Sequence, residues 1–401
     1  MQDVGIRGSG LEAFSKLIHP VTVDQFIGSY WQQNVLVVNR DSPRFYDDLL
    51  TIDALDALLT STALPGAQVN LGKDAVGIAK EDYVTGGYVN PRALLRLHKR
   101  GNTIILRSMH LWLETLQKLC SAMESFFHCD AQANIYMTPA RTQSSYPHWD
   151  AHDIFVIQLA GSKRWRLHSA PLKKPLYTYE FNPDRHEIGP ETGEFTLHAG
   201  DIAYVPRGVA HNPEATEYAV HISLGVLVKT WADVFAAMYE NIVRDNPEYR
   251  AALPVLYGRH QFDRDRCASE LEQLASAFGD RAILSTVLAR LTDTFLTTRT
   301  PDMRHAFSQV AEGCPITPST CVEVISSTPI LIEEHGDDCR AIINGLELRV
   351  SGSMLDAMKY VAHRSRLRVS ELPGESDARR VALAERLVDE GMLRVCRELE
   401  R

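Results

Sequence analysis

The sequence predicts a protein in three parts: a β-rich body, a helical middle and a small α/β tail. Three observations lead to this prediction. Residues 133–228 consist of short β-rich runs separated by Gly, Pro and Ser, which is the pattern of an all-β barrel or sandwich. After Thr230 the apolar period changes to that of helices. From about Ala341 the pattern is helix, turn and helix followed by Met-Leu-Arg-Val, which is compatible with a small winged-helix unit.

The body begins with a buried strand over Val35–Arg40, followed by helical patterning around Ile52–Leu59 and Leu111–Phe127. The β-rich runs come next, and they are ANIYMT, DIFVIQLA, KRWRLH, EFTLHAG, DIAYVP and AVHISLGVLV. Runs of this length, each bounded by turn residues, predict the strands of one barrel.

The second half of the chain is predicted to be helical and then mixed. Helices are predicted over Trp231–Arg244 and Arg281–Thr298, and the second carries an apolar stripe made of Ile283, Leu284, Val287, Leu288, Leu291 and Phe295. That stripe is wide enough to pack on a partner helix, and the alternative is packing within its own subunit. Four prolines in residues 301–330 suggest a linker. We therefore predict domains over 1–228, 229–325 and 326–401.

Composition excludes several classes of protein. The chain has 401 residues, of which 45% are apolar and 23% are charged, as in globular proteins. Its net charge of −9 disfavours a generic nucleic-acid binder and would attract a basic protein partner. No apolar run approaches the roughly 20 residues that cross a bilayer, and the N-terminus lacks a signal-peptide pattern. Seven cysteines without a C-x-x-C argue against a disulfide framework or a zinc ribbon. We expect a cytoplasmic protein without membrane association.

The segment YPHWDAHDIFVIQLAGSKRWRLH holds the candidate metal ligands. His148 and Asp150 are two residues apart, so on a strand both side chains point to the same face. The run PRGVAH supplies His211, 61 residues after Asp150, and its Pro and Gly are expected to shape a loop that presents this histidine. Two histidines and one carboxylate with open positions form the arrangement expected for non-haem Fe(II) oxygenases.

The sequence alone leaves alternatives to this triad open. A bare H-x-D is common, and a surface histidine beside a turn aspartate is the simpler interpretation. The β-rich context and the run GD-x-x-Y-V-P-x-G-x-x-H favour the metal site. His152 continues the parity of the pair, and His221 lies ten residues after His211. We favour His211 as the third ligand, and His221 as a pocket residue on the same strand face as Ser223.

The motifs NIYMTP, HWD, IQLAGSKRWRLH, GDIAYVPRGVAH and HISLGV carry a family resemblance. The chain resembles the JmjC-type 2-oxoglutarate oxygenases of the cupin superfamily. It is most similar to their ribosomal oxygenase branch, which contains bacterial arginine hydroxylases and eukaryotic histidine hydroxylases of ribosomal proteins. The resemblance covers nearly the whole chain. It implies a mainly β catalytic domain built as a double-stranded β-helix, a helical region that forms a homodimer, and a C-terminal winged helix.

By this resemblance the iron ligands are His148, Asp150 and His211. Lys163, fifteen residues after His148, resembles the basic residue that binds the distal carboxylate of 2-oxoglutarate. An inward lysine in an apolar barrel also requires an anion on physical grounds, whereas the alternative is a solvated lysine in a hairpin turn. Tyr136 matches a tyrosine that assists the carboxylate, although a lone aromatic residue is more often part of a core. The remaining pocket candidates are Asn134, His221 and Ser223.

The resemblance implies a hydroxylase that uses Fe(II), 2-oxoglutarate and O₂ to oxidise an Arg or His side chain of a ribosomal protein. The same chemistry on a ribosomally made peptide natural product or a small metabolite is an alternative. Lysine demethylation and a non-catalytic cupin binding protein are further alternatives, and the intact triad argues against the last of them. Residues 341–401 contain 11 Lys/Arg and 10 Asp/Glu, so we expect no direct nucleic-acid binding by the tail.

Overall fold

In the computed structural model the chain divides into two compact units after Val228. The structure describes residues 8–73, 76–143, 145–170, 172–253, 263–299, 303, 306–313, 315–325, 331–335, 338–343 and 345–396. Each unit has its own hydrophobic core. Within these residues no helix combines the length and apolar character that a membrane crossing would need.

The first unit contains five α-helices and fourteen strands in its described part. The helices are α1 (Gly8–Ile18), α2 (Val23–Ser29), α3 (Ile52–Ser61), α4 (Pro91–Lys99) and α5 (Glu114–Phe127). The strands before α5 are β1 (Leu36–Val38), β2 (Val69–Lys73), β3 (Val76–Gly77), β4 (Val84–Thr85), β5 (Tyr88–Val89) and β6 (Thr103–Leu106). Those after it are β7 (Asp130–Thr138), β8 (Thr142–Gln143), β9 (Asp153–Ala160), β10 (Ser162–His168), β11 (Glu191–His198), β12 (Ile202–Val205), β13 (Ala210–Ala215) and β14 (Ala219–Leu227).

Two antiparallel sheets form the body of this unit. The larger has the strand order β1-β12-β9-β14-β7-β6-β2-β3, and the smaller has the order β11-β10-β13-β8. Strand β9 shows why this part of the sequence is so apolar: residues 153–158 are all buried. One of its faces, with Phe155 and Ile157, belongs to the core that contains the helices, and the other, with Ile154 and Val156, packs on Trp165 of β10. The two sheets therefore face one another across an interior, which is the mainly β, cupin-like arrangement that the sequence predicted.

Local sequence explains the helix ends. Thr22 and Gln25 form a reciprocal capping box at the start of α2, which satisfies two backbone N–H groups that lack partners within the helix. At α4 the Asn90 side chain accepts hydrogen bonds from two backbone N–H groups, and Pro91 takes the first helical position, where its missing N–H costs nothing.

Two details near the candidate ligands differ from the sequence interpretation. His148 and Asp150 do not lie on a continuous strand, because β9 begins at Asp153 and His148 forms an isolated bridge with His211. His211 in turn lies in a strand, β13, and not in a loop. Local patterns hide this strand because it contains Asn212 and Pro213, which have low strand propensity. Pairing with β10 and β8 nevertheless holds it in the smaller sheet.

The second unit begins with helices α6 (Trp231–Asp245), α7 (Arg264–Ala275), α8 (Arg281–Thr297) and α9 (Ala306–Glu312). The apolar stripe of α8 packs inside its own chain. Val287 is fully buried in a cluster with Val234, Ala237, Met238 and Ile242 of α6. Leu288 of the stripe remains 44% exposed. Other exposed apolar side chains of this region are Leu271 of α7 and Phe307 and Val310 of α9, and α6 exposes three aromatic residues, Trp231, Phe235 and Tyr239, which are 70%, 51% and 56% exposed.

The tail comprises β15 (Cys321–Val324), β16 (Leu331–His335), β17 (Asp338–Ile343), β18 (Leu346–Ser351), α10 (Leu355–Ala362), β19 (Arg366–Arg368), α11 (Asp377–Asp389) and β20 (Leu393–Val395). Residues 301–330 are more than the linker that their prolines suggested. They hold α9 and β15, and β15 pairs with β19 and β20. The sequence missed β15 because its partners lie more than 40 residues further along the chain. The winged-helix assignment stays a prediction.

Candidate active site

The side chains of His148, Asp150 and His211 converge on one point. Their potential ligand atoms all lie within 4.8 Å of one another. Nε2 of His211 is 3.7 Å from Oδ2 of Asp150, and the two imidazole rings are 4.8 Å apart. Two nitrogens and one carboxylate oxygen at these separations can bind one divalent cation on a single face.

Backbone hydrogen bonds place the three residues. His148 N donates to His211 O at 3.1 Å, and His211 N donates to His148 O at 2.8 Å. Gly208 N, in the turn before β13, donates to Asp150 O at 2.9 Å. The segment with H-x-D and the segment with the third ligand, far apart in sequence, are thereby joined directly.

Both histidines present the same ring nitrogen to the centre. His148 Nδ1 lies 2.9 Å from the carbonyl oxygen of Tyr146, and His211 Nδ1 lies 3.0 Å from that of Val209. A carbonyl oxygen can only accept, so in the neutral imidazoles Nδ1 carries the proton and Nε2 keeps its lone pair. Such backbone contacts orient metal-binding histidines in proteins.

Electrostatics favours a metal-binding protonation state. Burial, together with the neighbouring His148, lowers the pKa of His211 to about 4, so its imidazole is neutral at pH 7. Burial raises the pKa of Asp150, but the three nearby histidines lower it by more, so this pKa lies below its usual value. A neutral imidazole and a carboxylate are the forms that bind a metal.

Lys163 lies deep in the interior next to this centre. It belongs to β10, is 0% exposed, and its Nζ donates to Thr138 Oγ1 of the facing sheet at 2.8 Å. Among the residues that the structure describes, no carboxylate forms an ion pair with it. Burial lowers its pKa to about 7. The alternative of a solvated lysine in a hairpin turn is therefore wrong, and a buried cation without a counter-ion is left to be explained.

Tyr136 and His221 line the same interior. They are direct partners across β7 and β14, and their rings stack with centroids 4.7 Å apart. The Tyr136 ring centroid lies 5.9 Å from Nζ of Lys163. His221 is 2% exposed, and among the described residues its Nδ1 has no hydrogen-bond partner. Burial, Lys163 and His211 hold the pKa of His221 well below its usual value.

The other predicted pocket residues, Asn134 and Ser223, lie two residues away from Tyr136 and His221 along the same paired strands. Ser223 is the direct partner of Asn134 across β14 and β7. The side-chain carbonyl of Asn134 accepts a hydrogen bond from Ser108 N at 2.9 Å, so it also supports the turn after β6. Sequence reasoning missed Thr138, although it has the parity of Asn134 and Tyr136 on β7 and could have been found from that parity.

His152, the competing histidine, lies outside the cluster of ligand atoms. Its ring packs over Gly225, where an added Cβ would come within 2.6 Å of His152 Cδ2. The roles of all these residues stay predictions, whereas their placement follows from the structure.

Comparison with known proteins agrees with the fold and the site. Residues 108–234 match the family model described as the JmjC domain. A protein of Drosophila erecta named bifunctional lysine-specific demethylase and histidyl-hydroxylase NO66 is 33% identical over 54% of this chain and 34% of its own length. The protein of the same name from Dictyostelium discoideum is 30% identical over 61% of this chain and 49% of its own length. The chain thus spans about a third to a half of these relatives.

Solved structures of the Escherichia coli ribosomal oxygenase YcfD share the fold. One matches with a TM-score of 0.52 at 16% identity, over 94% of this chain and 98% of that chain. Another, in complex with cobalt and 2-oxoglutarate, matches with a TM-score of 0.50 over the same shares of both chains. By sequence match, fold and site, residues 108–234 resemble the JmjC-domain class of proteins. Within that class the chain is similar to ribosomal oxygenases, which confirms the resemblance inferred from its motifs.

Proposed function

We propose that this chain is an Fe(II)- and 2-oxoglutarate-dependent hydroxylase of a protein side chain. The observation that carries the proposal is the position of the uncompensated Lys163 in the same interior as a ready-made set of two imidazole nitrogens and one carboxylate. A metal alone would explain the three ligands. A metal with a dianionic co-substrate explains the buried lysine as well.

The residues present fit both groups. His148, Asp150 and His211 would hold Fe(II), and their single face leaves coordination positions for a bidentate co-substrate and O₂. Lys163 would bind the distal carboxylate of 2-oxoglutarate, with Thr138 and Tyr136 as hydroxyl donors beside it. Lys163 Nζ, which has a hydrogen bond to Thr138 but no counter-ion among the described residues, and His221 Nδ1, which has no hydrogen-bond partner there, are the kind of polar atoms that a polar ligand satisfies.

When bound, Fe(II), 2-oxoglutarate and O₂ supply the oxidising power to insert one oxygen atom into an unactivated C–H bond, with succinate and CO₂ as co-products. The protein's own residues orient the metal ligands and keep the interior apolar. The Tyr146 and Val209 carbonyls keep the Nε2 atoms of both histidines available. Trp165, which packs near His211 and His221, keeps the interior apolar. An apolar interior strengthens the attraction between Lys163 and a carboxylate.

For the substrate we favour an Arg or His side chain of a ribosomal protein. The names of the relatives, histidyl-hydroxylase and ribosomal oxygenase, support this class. The relatives' names also contain lysine-specific demethylase, which keeps that activity as a second candidate. A ribosomally made peptide or a small metabolite is the further alternative.

Mass spectrometry of ribosomal proteins and small peptides from a deletion strain tests the choice of substrate. A species lighter by one oxygen atom than in the parent identifies the substrate, and unchanged ribosomal proteins would reject our choice.

The buried lysine predicts a pH dependence of co-substrate binding. The pKa of Lys163 without a bound anion is about 7, and an adjacent carboxylate raises it. Below pH 7 the ammonium is already present, whereas above pH 7 binding must take up a proton. In the Co(II)-loaded protein the dissociation constant of 2-oxoglutarate should therefore rise as pH increases from 7 to 9. Calorimetry at pH 8 in two buffers of different ionisation enthalpy should detect uptake of nearly one proton. Lys163→Arg should remove this uptake, and equal uptake in both proteins would contradict the assignment.

We further propose a cytoplasmic homodimer formed through α6. Trp231, Phe235 and Tyr239 recur every four residues and are more than half exposed, so they form one aromatic stripe. Light scattering should give twice the 44.9 kDa chain mass. The double change Trp231→Glu and Tyr239→Glu should give the monomer mass, because burying two carboxylates opposes association. Tyr88→Glu, at an exposed tyrosine of the other unit, is the matched control. A monomeric wild-type protein at micromolar concentration would refute the proposal.

The tail is proposed to have a structural or substrate-docking role without direct nucleic-acid contact. Arg379 and Arg380 of α11 pair with Glu375 and Asp377 of the same chain. These cations are already neutralised, so they have little to offer phosphates. Fluorescence polarisation with duplex DNA at physiological salt should show no submicromolar binding. Tight binding with a steep salt dependence would overturn this proposal.

A further inference from the structure

A buried ionic network lies immediately behind the metal centre. Asp153, three residues after Asp150, is 0% exposed. Its carboxylate accepts hydrogen bonds from Tyr204 Oη at 2.5 Å and from Gln32 Nε2 at 3.3 Å. Arg207, 8% exposed, places Nε 3.9 Å from the same carboxylate. Arg207 and Asp153 thus form a buried ionic pair.

The guanidinium of Arg207 also reaches another part of the chain. Its Nη1 donates to the carbonyl oxygen of Pro175 at 2.8 Å. Pro175 is buried and belongs to residues 169–190, whose described part contains no helix or strand. Segments of this length without secondary structure are uncommon inside compact domains and are usually functional.

Residues 169–190 lie against one side of the metal centre. The Phe181 ring centroid is 6.4 Å from that of His148 and 5.7 Å from that of the buried Trp149. His186 packs 5.2 Å from Trp149 on the same side. This segment therefore lies beside His148 on one side of the proposed metal centre.

The turn before His211 is in close contact with the same segment. Gly208 has φ +83°, and a Cβ there would lie 2.7 Å from Pro175 Cδ and 2.9 Å from Leu172 O. Val209, the next residue, accepts the Nδ1 hydrogen bond of His211. A shift of residues 169–190 would consequently displace the carbonyl that orients a metal ligand.

We propose that Arg207 is a positioning residue that couples residues 169–190 to the metal centre. The inference rests on the proposed metal site and extends it to the control of substrate access. Arg207 touches none of the three ligand side chains, and it acts through the Gly208 turn and through Asp153. The planar guanidinium of Arg207 donates to the carbonyl oxygen of Pro175 while its Nε lies 3.9 Å from the Asp153 carboxylate, whereas a lysine has a single point of charge.

Arg207→Lys tests the coupling, because it keeps the charge opposite Asp153 and removes the guanidinium nitrogen that donates to the carbonyl oxygen of Pro175. We expect Co(II) affinity, followed by its visible absorption, to fall by about tenfold, as for other residues that orient metal ligands. Trypsin should cleave after Lys173 and Arg185 several times faster than in wild type. With an identified substrate, KM should rise more than kcat falls. Arg164→Lys is the matched control, since Arg164 pairs with Glu214 on the partly exposed face of β10.

The outcomes separate this inference from the proposed function. If the wild type binds no Co(II), the metal function fails, while the trypsin comparison still decides whether Arg207 holds residues 169–190. A folded Arg207→Lys protein with wild-type Co(II) affinity and wild-type cleavage would refute the coupling. Should Arg207→Lys fail to fold, Asp153→Asn is the second variant, because it keeps the shape of the network and removes the charge that attracts Arg207. It must then show both the lower Co(II) affinity and the faster trypsin cleavage.

Discussion

Replacing His211 with alanine is expected to abolish both metal binding and 2-oxoglutarate turnover. His211 supplies one of three ligand atoms that lie within 4.8 Å of one another, and its loss leaves two ligands for a cation that needs a facial set. Changes to residues that merely orient ligands cost 10–100-fold in metal affinity, so loss of a ligand should cost at least about 100-fold. Co(II) titration followed by visible absorption measures binding, and succinate release measures turnover.

His221→Ala is the matched control for this prediction. His221 is also a buried histidine of the interior, but it stacks on Tyr136 and is not one of the three clustered ligands. It should keep Co(II) affinity near the wild-type value, although co-substrate affinity can change. Loss of metal in His221→Ala, with retention in His211→Ala, would show that the third ligand was wrongly chosen. Circular dichroism should confirm that both variants are folded.

Replacing Lys163 with methionine is expected to remove co-substrate binding while leaving Co(II) binding intact. A buried charge pair that loses one partner costs about 2–5 kcal/mol, which corresponds to about thirtyfold or more in the dissociation constant of 2-oxoglutarate. Calorimetry on the Co(II)-loaded variant measures this. An unchanged dissociation constant would show that another group binds the distal carboxylate.

The same substitution should stabilise the protein when no ligand is bound. Burial lowers the pKa of Lys163 to about 7 from an ordinary value of 10.5, and a pKa that is lower by one corresponds to about 1.4 kcal/mol. The unfolded chain therefore binds more protons than the folded one between pH 7 and 10.5, and wild-type stability rises with pH in that window. Lys163→Met should have the higher midpoint in urea at pH 7, and its advantage should shrink towards pH 10. A lower midpoint at pH 7 would indicate that Lys163 is a structural residue.

Much of the candidate site could be predicted because it depends on short-range sequence patterns. The strands DIFVIQLA and KRWRLH follow from apolar alternation and composition, and the structure places them at β9 and β10. Once β10 is a strand, Lys163 and Trp165 must share a face, and both are buried in the interior. The H-x-D spacing identified two ligand candidates even though His148 lies in a bridge outside β9.

Other features depend on contacts between distant parts of the chain. The sequence favoured His211 over His152 and His221 as the third ligand without excluding them, and in the structure His211, whose backbone pairs with that of His148, is the histidine that joins the cluster. Strand β13 was hidden by Asn212 and Pro213, and it forms because β10 and β8 offer partners on both sides. The burial of Arg207 arises from its meeting with Asp153 and Pro175, which are 54 and 32 residues away in sequence.

The sequence by itself thus determined which residue types are available, the period of each element and the side of the strand on which each candidate lies. These follow from local geometry, since side chains alternate along a strand and recur every 3.6 residues along a helix. Tertiary structure alone decided which histidine completes the cluster, that Lys163 has Thr138 and no carboxylate as its partner among the described residues, and that α8 packs on α6. Long-range pairing brings these groups together, and a local pattern carries no information about the partner on the other side of a contact.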